Sequence, residues 1–413
     1  MTNIKFIWTL AGIILANTGF GQIDLLKDGT LPYDTNSTVF ANIGIHRHDN
    51  SNAISRELGE KFLFGGHIDA GMKDRVYQNL DPMNNYGASS EISADFIYFP
   101  DGKEVGFGVG YEFTSYQSLQ FTADLFELVF YGNQGFNDRP ADLSGTTFRN
   151  YNAHRISFTA VQKSTGSFVS LGLYSGLRYS ESSVNTGDVR THYSDVNGET
   201  VPSEVDIYAL GFYAEDFTSD RFLQNDLGLG VSMGVNWNIG KHQFSAQAKD
   251  IGVIHVSGAE IRDTSGTFTF SGINWDLGSN SNPGDVFETL EDSLSPSQRT
   301  SSGKLRMLPA QFKLHYFTPL SQKFSIAATG RYVFDLEFEP EITAALNYHI
   351  NTANTLIWLD GSLGGYNFYS FGLGAQVDIG NSSIISIGTR HATGLFYREA
   401  SAFSASVKYA LRL

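Results

Sequence analysis

Residues 226–240 read DLGLGVSMGVNWNIG, and the strict two-residue alternation of this stretch decides the fold. A large apolar residue fills every odd position from Leu227 to Ile239, while glycine or a small polar residue fills every even position. Because side chains alternate across a β-strand, one face is wholly apolar and the other is small and polar. Strands of soluble proteins are usually about 5 to 6 residues long, whereas a tilted membrane strand needs about 9 to 11. The stretch therefore predicts a transmembrane β-strand whose odd residues face lipid.

The same alternation recurs along the chain and reaches the last residue. Clear cases are residues 107–113, 169–179, 369–379 and 403–413. Further strands are expected near Ala41–His46, Phe62–Gly71, Glu91–Tyr98, Tyr151–Val161, His242–Lys249, Gln311–Phe317, Phe324–Phe334, Glu341–Tyr348 and Thr355–Gly361. The final stretch resembles the C-terminal assembly signal of bacterial outer-membrane barrels, although it ends in Leu413 where many of those end in an aromatic residue.

These strands predict an all-β protein, a transmembrane antiparallel β-barrel with about 14 strands. Single-chain bacterial barrels have an even number of strands, so 12 and 16 remain alternatives. The uncertainty lies in residues 184–224, which could form a long outer loop or an extended hairpin that projects above the membrane. A long polar connection at residues 278–302 is also expected to face outward.

The N-terminus has the pattern of a secretory signal peptide. Lys5 supplies positive charge, and Phe6 to Ala16 form an apolar run that is too short for the roughly 20 residues of a membrane-spanning helix. Small residues then allow cleavage between Gly21 and Gln22. Residues 1–21 are therefore expected to be a cleaved signal peptide, the alternative being an uncleaved membrane helix.

The rest of the chain divides into a short segment and one large domain. Residues 22–38 are polar, contain Leu31-Pro32 and alternate little, so they are expected to form an N-terminal segment or a small plug inside the barrel. Residues 39–413 are expected to form the barrel. The predicted location is the bacterial outer membrane, where the wall contacts lipid and lipopolysaccharide.

Composition excludes several classes of function. The chain is 41% hydrophobic and only 17% charged, with 43 Gly, 32 Phe and 20 Tyr, a mixture typical of short alternating strands with aromatic girdles. Its formal net charge of −15, without any basic run, argues against nucleic acid as a partner. The absence of cysteine excludes disulfides, thiolate metal sites and a lipid-modified N-terminal cysteine.

Two short patterns resemble catalytic motifs but do not predict a catalytic site. Residues 230–234 match the G-x-S-x-G nucleophile elbow, but an elbow needs a strand-to-helix turn and Ser232 is expected in mid-strand. His154 and Ser157 have opposite parity, so they are not expected to share the outer wall as in barrel phospholipases.

Two clusters of polar residues are candidates for a metal-binding or ion-attracting site. His46 and His48 share one strand face, yet no third ligand stands nearby in sequence, so a strand end entering a polar loop is the favoured interpretation. The acidic residues of the 335–341 stretch share one parity, but Pro340 is expected to mark a turn that splits them. No catalytic, cofactor-binding or metal-binding residue is predicted, and the chain is expected not to be an enzyme.

Four stretches carry a resemblance to a known family. They are Phe126-Glu127-Leu128-Val129-Phe130-Tyr131-Gly132-Asn133 followed by Phe136, Lys249-Asp250-Ile251-Gly252-Val253-Ile254, Thr267-Phe268-Thr269-Phe270-Ser271-Gly272-Ile273, and Leu308-Pro309-Ala310-Gln311-Phe312. In order and spacing they resemble an uncharacterised family of Bacteroidota outer-membrane proteins, which is similar to FadL-like barrels and to the PorV and PorP/SprF components of type IX secretion. The resemblance implies a FadL-like barrel of 14 strands with an internal plug and no catalytic apparatus.

Two functions follow as expectations. The first is a non-enzymatic subunit or platform of a complex that secretes, assembles or displays proteins, with outer-membrane or periplasmic protein partners. The second is a FadL-like transport barrel for hydrophobic or small amphipathic molecules, suggested also by Phe168 and Tyr174 at inward-facing positions. A lumen packed by charged pairs would count against transport.

Overall fold

The computed structural model describes most of the chain from residue 37 onward. The described residues are 37–136, 139–196, 199–218, 226–256, 260–270, 298–300, 303–334, 336–350, 354–366, 369–380, 382–397 and 399–413. The expected signal peptide, most of the expected N-terminal plug and the 278–297 part of the polar connection lie outside these residues.

The described residues form one antiparallel sheet, four short α-helices and one 3-10 helix (Asn133–Phe136). The strands, numbered along the chain, are β1 (Val39–Ser51), β2 (Met83–Tyr98), β3 (Val105–Thr122), β4 (Ala141–Asp142), β5 (Thr147–Gln162), β6 (Phe168–Val196), β7 (Glu199–Thr218), β8 (Leu227–Ile239), β9 (His242–Val256), β10 (Glu260–Phe270), β11 (Gln298–Thr300), β12 (Lys304–Met307), β13 (Gln311–Pro319), β14 (Phe324–Val333), β15 (Glu339–Ile350), β16 (Thr355–Gly365), β17 (Tyr369–Ile379), β18 (Ser383–Thr389) and β19 (Ala402–Arg412). The helices are α1 (Arg56–Phe64), α2 (Ala70–Tyr77), α3 (Ala123–Tyr131) and α4 (Ala392–Phe396). None of the described helices is long and apolar enough to cross a membrane.

Fourteen of these strands close into a barrel, which confirms the predicted number. The five strands outside the closed ring are β4, β7, β10, β11 and β12. Each barrel strand pairs with its neighbours in the ring, and β1 closes the ring by pairing with β19 from Phe40↔Arg412 to Asn50↔Ala402. Closure leaves no free edge, which is the condition for a sheet to span a membrane.

The two ends of the barrel differ in the length of their connections. Tight turns join β8 to β9 and β17 to β18 at the end that also holds Val39 and Leu413. The opposite end carries α1 to α4 and the projecting strands. Outer-membrane barrels have short periplasmic turns and longer extracellular loops, so we call the two ends periplasmic and outer.

The outer surface of the wall is apolar, as the alternation predicts. Odd residues of β8 are exposed, by between 36% at Val231 and 62% at Ile239, whereas the even positions from Gly228 to Asn236 are buried. Aromatic rings stack around the periplasmic end, with Trp237 and Phe244 5.6 Å apart and Phe244 and Tyr316 5.2 Å apart between ring centroids. An exposed apolar band with an aromatic girdle is the surface that lipid covers.

Two sequence-based expectations for the wall are wrong. Residues 62–71 were expected as a strand, but they fall on the end of α1, the start of α2 and their junction, because Ser55 and Asp69 cap the two helices by accepting hydrogen bonds from the Leu58 and Met72 amides. Tyr179 was expected on the apolar face, yet it is buried inside. A register shift opposite Asn152 and Ala153 inserts one extra residue into β6 and reverses the parity of the residues above it.

The stretch at residues 184–224 contains an extended hairpin in its described part, resolving the alternative that the sequence left open. The outer half of β6 leaves β8 and pairs with β7 from Arg178↔Thr218 to Val196↔Glu199. At about 3.3 Å per residue, the 29 residues of β6 extend for about 95 Å, well beyond a hydrocarbon core about 30 Å thick. Strand β10 continues this projecting sheet by pairing with β7.

Helices pack on the projecting hairpin and give it a hydrophobic core of its own. Buried residues from α1, α2, α3, β6 and β7 form one cluster that includes Leu58, Met72, Phe126, Val189 and Ile207. We call this assembly the outer cap, and it is a folded unit that stands on the outer end of the barrel.

Candidate functional site

An apolar layer lies at the periplasmic end, on the side of the barrel formed by β18, β19, β1, β2, β5 and β6. Its buried residues come from the ends of strands and the turns between them: Phe40, Ile97, Phe99, Val161, Phe168, Ile384 and Ala410. Phe168 was expected to face inward, and it is buried here. The layer lies between the charged residues described next and the periplasmic rim on this side of the barrel.

A network of five charged side chains lies in the middle of the lumen. Lys249 Nζ from β9 lies 3.1 Å from Glu91 Oε1 on β2 and 2.8 Å from Glu112 Oε1 on β3. Arg155 Nη1 from β5 lies 3.3 Å from Glu112 Oε2, and Arg155 Nε lies 3.6 Å from Asp250 Oδ1. All five are buried, and three carboxylates face two cations, so we call this set the anionic network. It ties β9 to strands on the other side of β6 and β8.

A β-bulge places two successive residues of the anionic network inside the barrel. The register of β8 and β9 shifts between Val231 and Met233, and Asp250 has φ 62°, a left-handed conformation that is uncommon for a residue with a side chain. Lys249 and Asp250 therefore both face the lumen, although neighbouring strand residues normally face opposite sides. The Asp250 amide donates to Ser232 Oγ over 3.0 Å, and Tyr174 donates its hydroxyl proton to Asp250 Oδ1 over 2.6 Å.

Aromatic side chains cover the network on its outer side. Tyr116, Tyr151, Tyr174 and Tyr179 belong to a buried cluster that also includes Phe217 and Phe338. Between this aromatic layer and Arg155 lies a cavity of about 10 Å³, room for about one water molecule. The described side chains thus divide the lumen into an apolar, a charged and an aromatic layer.

A second charged cluster lies near the outer end, on the side of the lumen formed by β14, β15, β18, β19 and β1. Glu341 Oε2 lies 2.8 Å from Arg390 Nη1 and 3.4 Å from Arg331 Nε. His391 follows Arg390, and its ring centroid lies 4.9 Å from that of His48 on β1. We call Arg331, Arg390, Glu341, His48 and His391 the cationic cluster. His391 lies in the connection after β18, where burial, and then the charge of Arg390, lower its pKa to about 4.

The outer cap carries an exposed aromatic patch. Tyr77 and Tyr131 are 42% and 40% exposed, and their rings meet edge to face with centroids 5.4 Å apart. Their hydroxyls donate to Glu127 at 2.9 Å and to Asp74 at 2.7 Å. The hydrogen bond to Glu127, followed by burial, raises the pKa of Tyr77. The two rings are therefore held in place while about two-fifths of each residue remains exposed.

The motifs that resembled chemistry do not assemble into a reactive site. Ser232 is fully buried in mid-strand, where it is an acceptor for the Asp250 amide, and no turn exposes it. Ser157 is buried inside, whereas His154 lies on the outer wall with its Nδ1 2.7 Å from the Tyr111 hydroxyl. Within the described ranges, no group of three His, Cys, Asp or Glu side chains is placed to hold a metal ion.

The two polar stretches at the outer end of the barrel have different outcomes. A turn does split the acidic row, since β14 ends at Val333 and β15 begins at Glu339, but Pro340 does not mark it: Pro340 lies in β15, where the pairing with β16 is irregular between Glu339 and Ile342. Glu337 pairs with Arg149, and Glu341 joins the cationic cluster. His46 and His48 were expected at a strand end that enters a polar loop, but both lie within β1. The sequence did not indicate a third histidine close to His46 and His48, because His391 follows more than 300 residues later in the chain.

Sequence reasoning also missed the charged residues of the lumen. Lys249 and Asp250 were noted only as part of a family-like stretch, and nothing in the alternation marks a bulge that turns both inward. A charged pair interrupting an otherwise regular dyad was the one available signal.

Comparison with known proteins identifies the family. A model described as a family of unknown function, DUF5723, matches residues 35–385. The chain belongs to this family. No curated protein matches it.

Solved structures similar to this DUF5723 protein are outer-membrane barrels at low identity. A FadL homologue of Pseudomonas aeruginosa is 9% identical with a TM-score of 0.40, covering 91% of this chain and 89% of that one. The toluene transporter TbuX of Ralstonia pickettii is 12% identical with a TM-score of 0.37, covering 91% and 88%. The translocator domain of the autotransporter NalP from Neisseria meningitidis is 12% identical with a TM-score of 0.32, covering 92% and 91%. Scores this low do not transfer a function to this chain.

Proposed function

We propose that this DUF5723 protein is a non-enzymatic outer-membrane barrel that serves as a subunit or platform of a complex for protein secretion, assembly or surface display. The observation that carries the proposal is the outer cap. A transport barrel needs loops that shape a pore, whereas this chain builds a helical layer and a long hairpin around a separate hydrophobic core. Such a rigid surface outside the membrane is suited to holding another protein.

The layers of the lumen support the same function. Lys249 bridges Glu91 and Glu112 in the middle of the barrel, and the cavity beside Arg155 has room for only about one water molecule. Breaking a buried ion pair by removing one partner costs about 3–5 kcal/mol, so the network resists separation. A lumen crossed by ion pairs is better suited to a barrel that anchors other proteins than to a barrel that conducts solutes.

The patch formed by Tyr77 and Tyr131 is the proposed contact for a protein partner. Tyr and Arg are enriched at the energetic centres of protein interfaces, and Arg139 lies beside the patch, 2.6 Å from Asp124 and 3.9 Å from Glu127. Because hydrogen bonds already fix both tyrosine rings, little side-chain freedom is lost on binding.

Affinity purification from native membranes in mild detergent tests this proposal. The tagged protein should retain stoichiometric partners, and a Tyr77→Ala/Tyr131→Ala variant should lose an outer partner while remaining folded in the membrane. Tyr98→Ala is the matched control, since Tyr98 is equally exposed, at 48%, but lies at the periplasmic end. Recovery of the wild-type barrel alone would contradict the platform role. The co-purified proteins would also test the link to type IX secretion and to Bacteroidota that the sequence resemblance suggests.

The second candidate is a FadL-like transport barrel for hydrophobic or small amphipathic molecules. The aromatic layer favours it, because Tyr116, Tyr151 and Tyr174 line the cavity and offer apolar faces with hydroxyl groups. Passage would require the ion pairs of Lys249 and Arg155 to separate. Uptake of a fluorescent naphthylamine probe by cells with and without the protein tests this role, and equal uptake would argue against it.

A further inference from the structure

The cationic cluster contains more positive charge than its carboxylate neutralises. Arg331 and Arg390 both approach the same oxygen of Glu341, so two guanidinium groups share one carboxylate. The Arg331 side chain is only 11% exposed and that of Glu341 only 3%. A charge removed from water needs a counter-charge close by, and here one is missing from the set.

Hydrogen-bond donors in the same place also lack acceptors. Buried nitrogens without a hydrogen-bond partner among the described residues are both ring nitrogens of His48, Nε2 of His46 and Nε2 of His391. Arg331 Nε also makes no hydrogen bond, although it forms the 3.4 Å ion pair with Glu341. Whichever tautomer His48 adopts, one of its nitrogens carries a proton that needs an acceptor. Arg331 and Arg390 lie within electrostatic range of both His46 and His48. Unused donors and surplus positive charge therefore coincide.

We propose that the cationic cluster binds a small monovalent anion of the chloride class, held by Arg331, Arg390, His48 and His391. An anion supplies both the missing counter-charge and an acceptor for the unpartnered N–H groups. A small ion fits best because the rings of His48 and His391 are only 4.9 Å apart between centroids. Access is from the outer end, where the Arg390 side chain remains 24% exposed. This site is independent of the proposed partner surface on the outer cap.

Arg149 shows what a fully compensated luminal arginine looks like. It pairs with Glu181 at 3.2 Å and with Glu337 at 3.0 Å, and its side chain is 22% exposed. Two carboxylates serve one guanidinium there, the reverse of the ratio in the cationic cluster. Arg149→Gln is therefore the matched control for Arg331→Gln.

Crystals of the purified full chain grown in bromide test the site directly. The expected result is an anomalous peak within hydrogen-bond distance of Arg331 and His48 in the wild-type protein. Density that scatters only as water at this position, with no bromide peak, would overturn the proposal. This measurement needs no variant and so does not depend on whether a substituted barrel folds.

Thermal unfolding in detergent provides the second test. At equal ionic strength, replacing gluconate by chloride should raise the wild-type Tm by about 2 °C, because a ligand that binds only the folded state stabilises it. Arg331→Gln should abolish the chloride effect, and Arg149→Gln should retain it. Equal Tm values of the wild type in both salts up to molar concentration would contradict the proposal.

Discussion

The two charged groups of the lumen solve the problem of buried charge in different ways. In the anionic network every charged side chain contacts one of opposite sign, and Lys249 joins β9 to β2 and β3. In the cationic cluster two arginines share Glu341, and neighbouring imidazoles have no partner. The first arrangement has one carboxylate more than it has cations, but its ion pairs join strands across the lumen, so it acts as a brace. In the second, surplus positive charge lies beside imidazoles without partners, so the difference separates a structural role from a binding role.

Removal of the central cation of the anionic network should have the largest effect. Lys249→Met leaves Glu91 and Glu112 buried without their shared partner, and we expect a loss of about 3–5 kcal/mol in unfolding free energy, measured by urea titration in detergent. Lys241→Met is the control, because Lys241 lies in the exposed turn between β8 and β9.

A double variant sharpens this test of the brace. Adding Glu91→Gln to Lys249→Met removes one of the stranded carboxylates, so stability should partly return. If the double variant is as unstable as the sum of the two single variants, Lys249 and Glu91 are not coupled and the brace is disproved.

Acid should weaken the cationic cluster through His391. The pKa of His391 is lowered to about 4 in the folded protein, against 6.5 for an unperturbed histidine, by burial and by Arg390. Above about pH 6.5 both states are neutral, and as pH falls from 6.5 to 4 the unfolded state gains the proton first. Stability should therefore drop by up to about 3 kcal/mol across this window and then level off.

His391→Gln isolates that contribution. The other charged or titratable groups that face His391 are Arg390, Glu341, His46 and His48. Unfolding midpoints of the variant should change less between pH 6.5 and 4 than those of the wild type, and an identical pH profile would show that His391 is not the group responsible.

Ser232 tests whether the neutral members of the anionic network matter. Ser232→Ala removes the acceptor for the Asp250 amide and for Arg155, which lies 3.2 Å away, so we expect a loss of about 1–2 kcal/mol. A fluorophosphonate probe should not label the wild-type protein, since the hydroxyl is buried. Labelling that disappears in the variant would instead identify Ser232 as a nucleophile.

The smallest loss of unfolding free energy is expected for the substitution of Arg390 in the cationic cluster. Arg390→Gln breaks the bond to Glu341 but also removes the surplus charge, and Arg331 remains to pair with Glu341. The net cost should be about 1 kcal/mol, well below that of Lys249→Met, by the same urea titration. A cost as large as that of Lys249→Met would end the distinction between the two groups.

The sequence by itself determined the wall of the barrel. The alternation from Leu227 to Ile239 has a period of two over the length that a tilted membrane strand requires. Each side chain of such a strand faces either the lipid or the lumen. The apolar face follows from that constraint, and the observed exposure agrees with it. The predicted number of 14 strands is confirmed, although the expected strands included residues 62–71, which are partly helical, and left out β18. Pro340 indicated a break close to the turn that precedes Glu339, and it lies at the irregular start of β15, a position in a strand where proline is tolerated.

Only the tertiary structure decided what lies inside and above the barrel. The extra residue near Leu177 reverses which residues of β6 face inward, and the left-handed Asp250 places two successive residues of β9 inside the barrel. A period-two pattern does not mark either bulge. Lys249 meets Glu91 across 158 residues of sequence, because closure of the ring, and not local spacing, brings β9 opposite β2. The helices of the outer cap are short and depend on packing against the hairpin, so their local pattern was too weak to identify them.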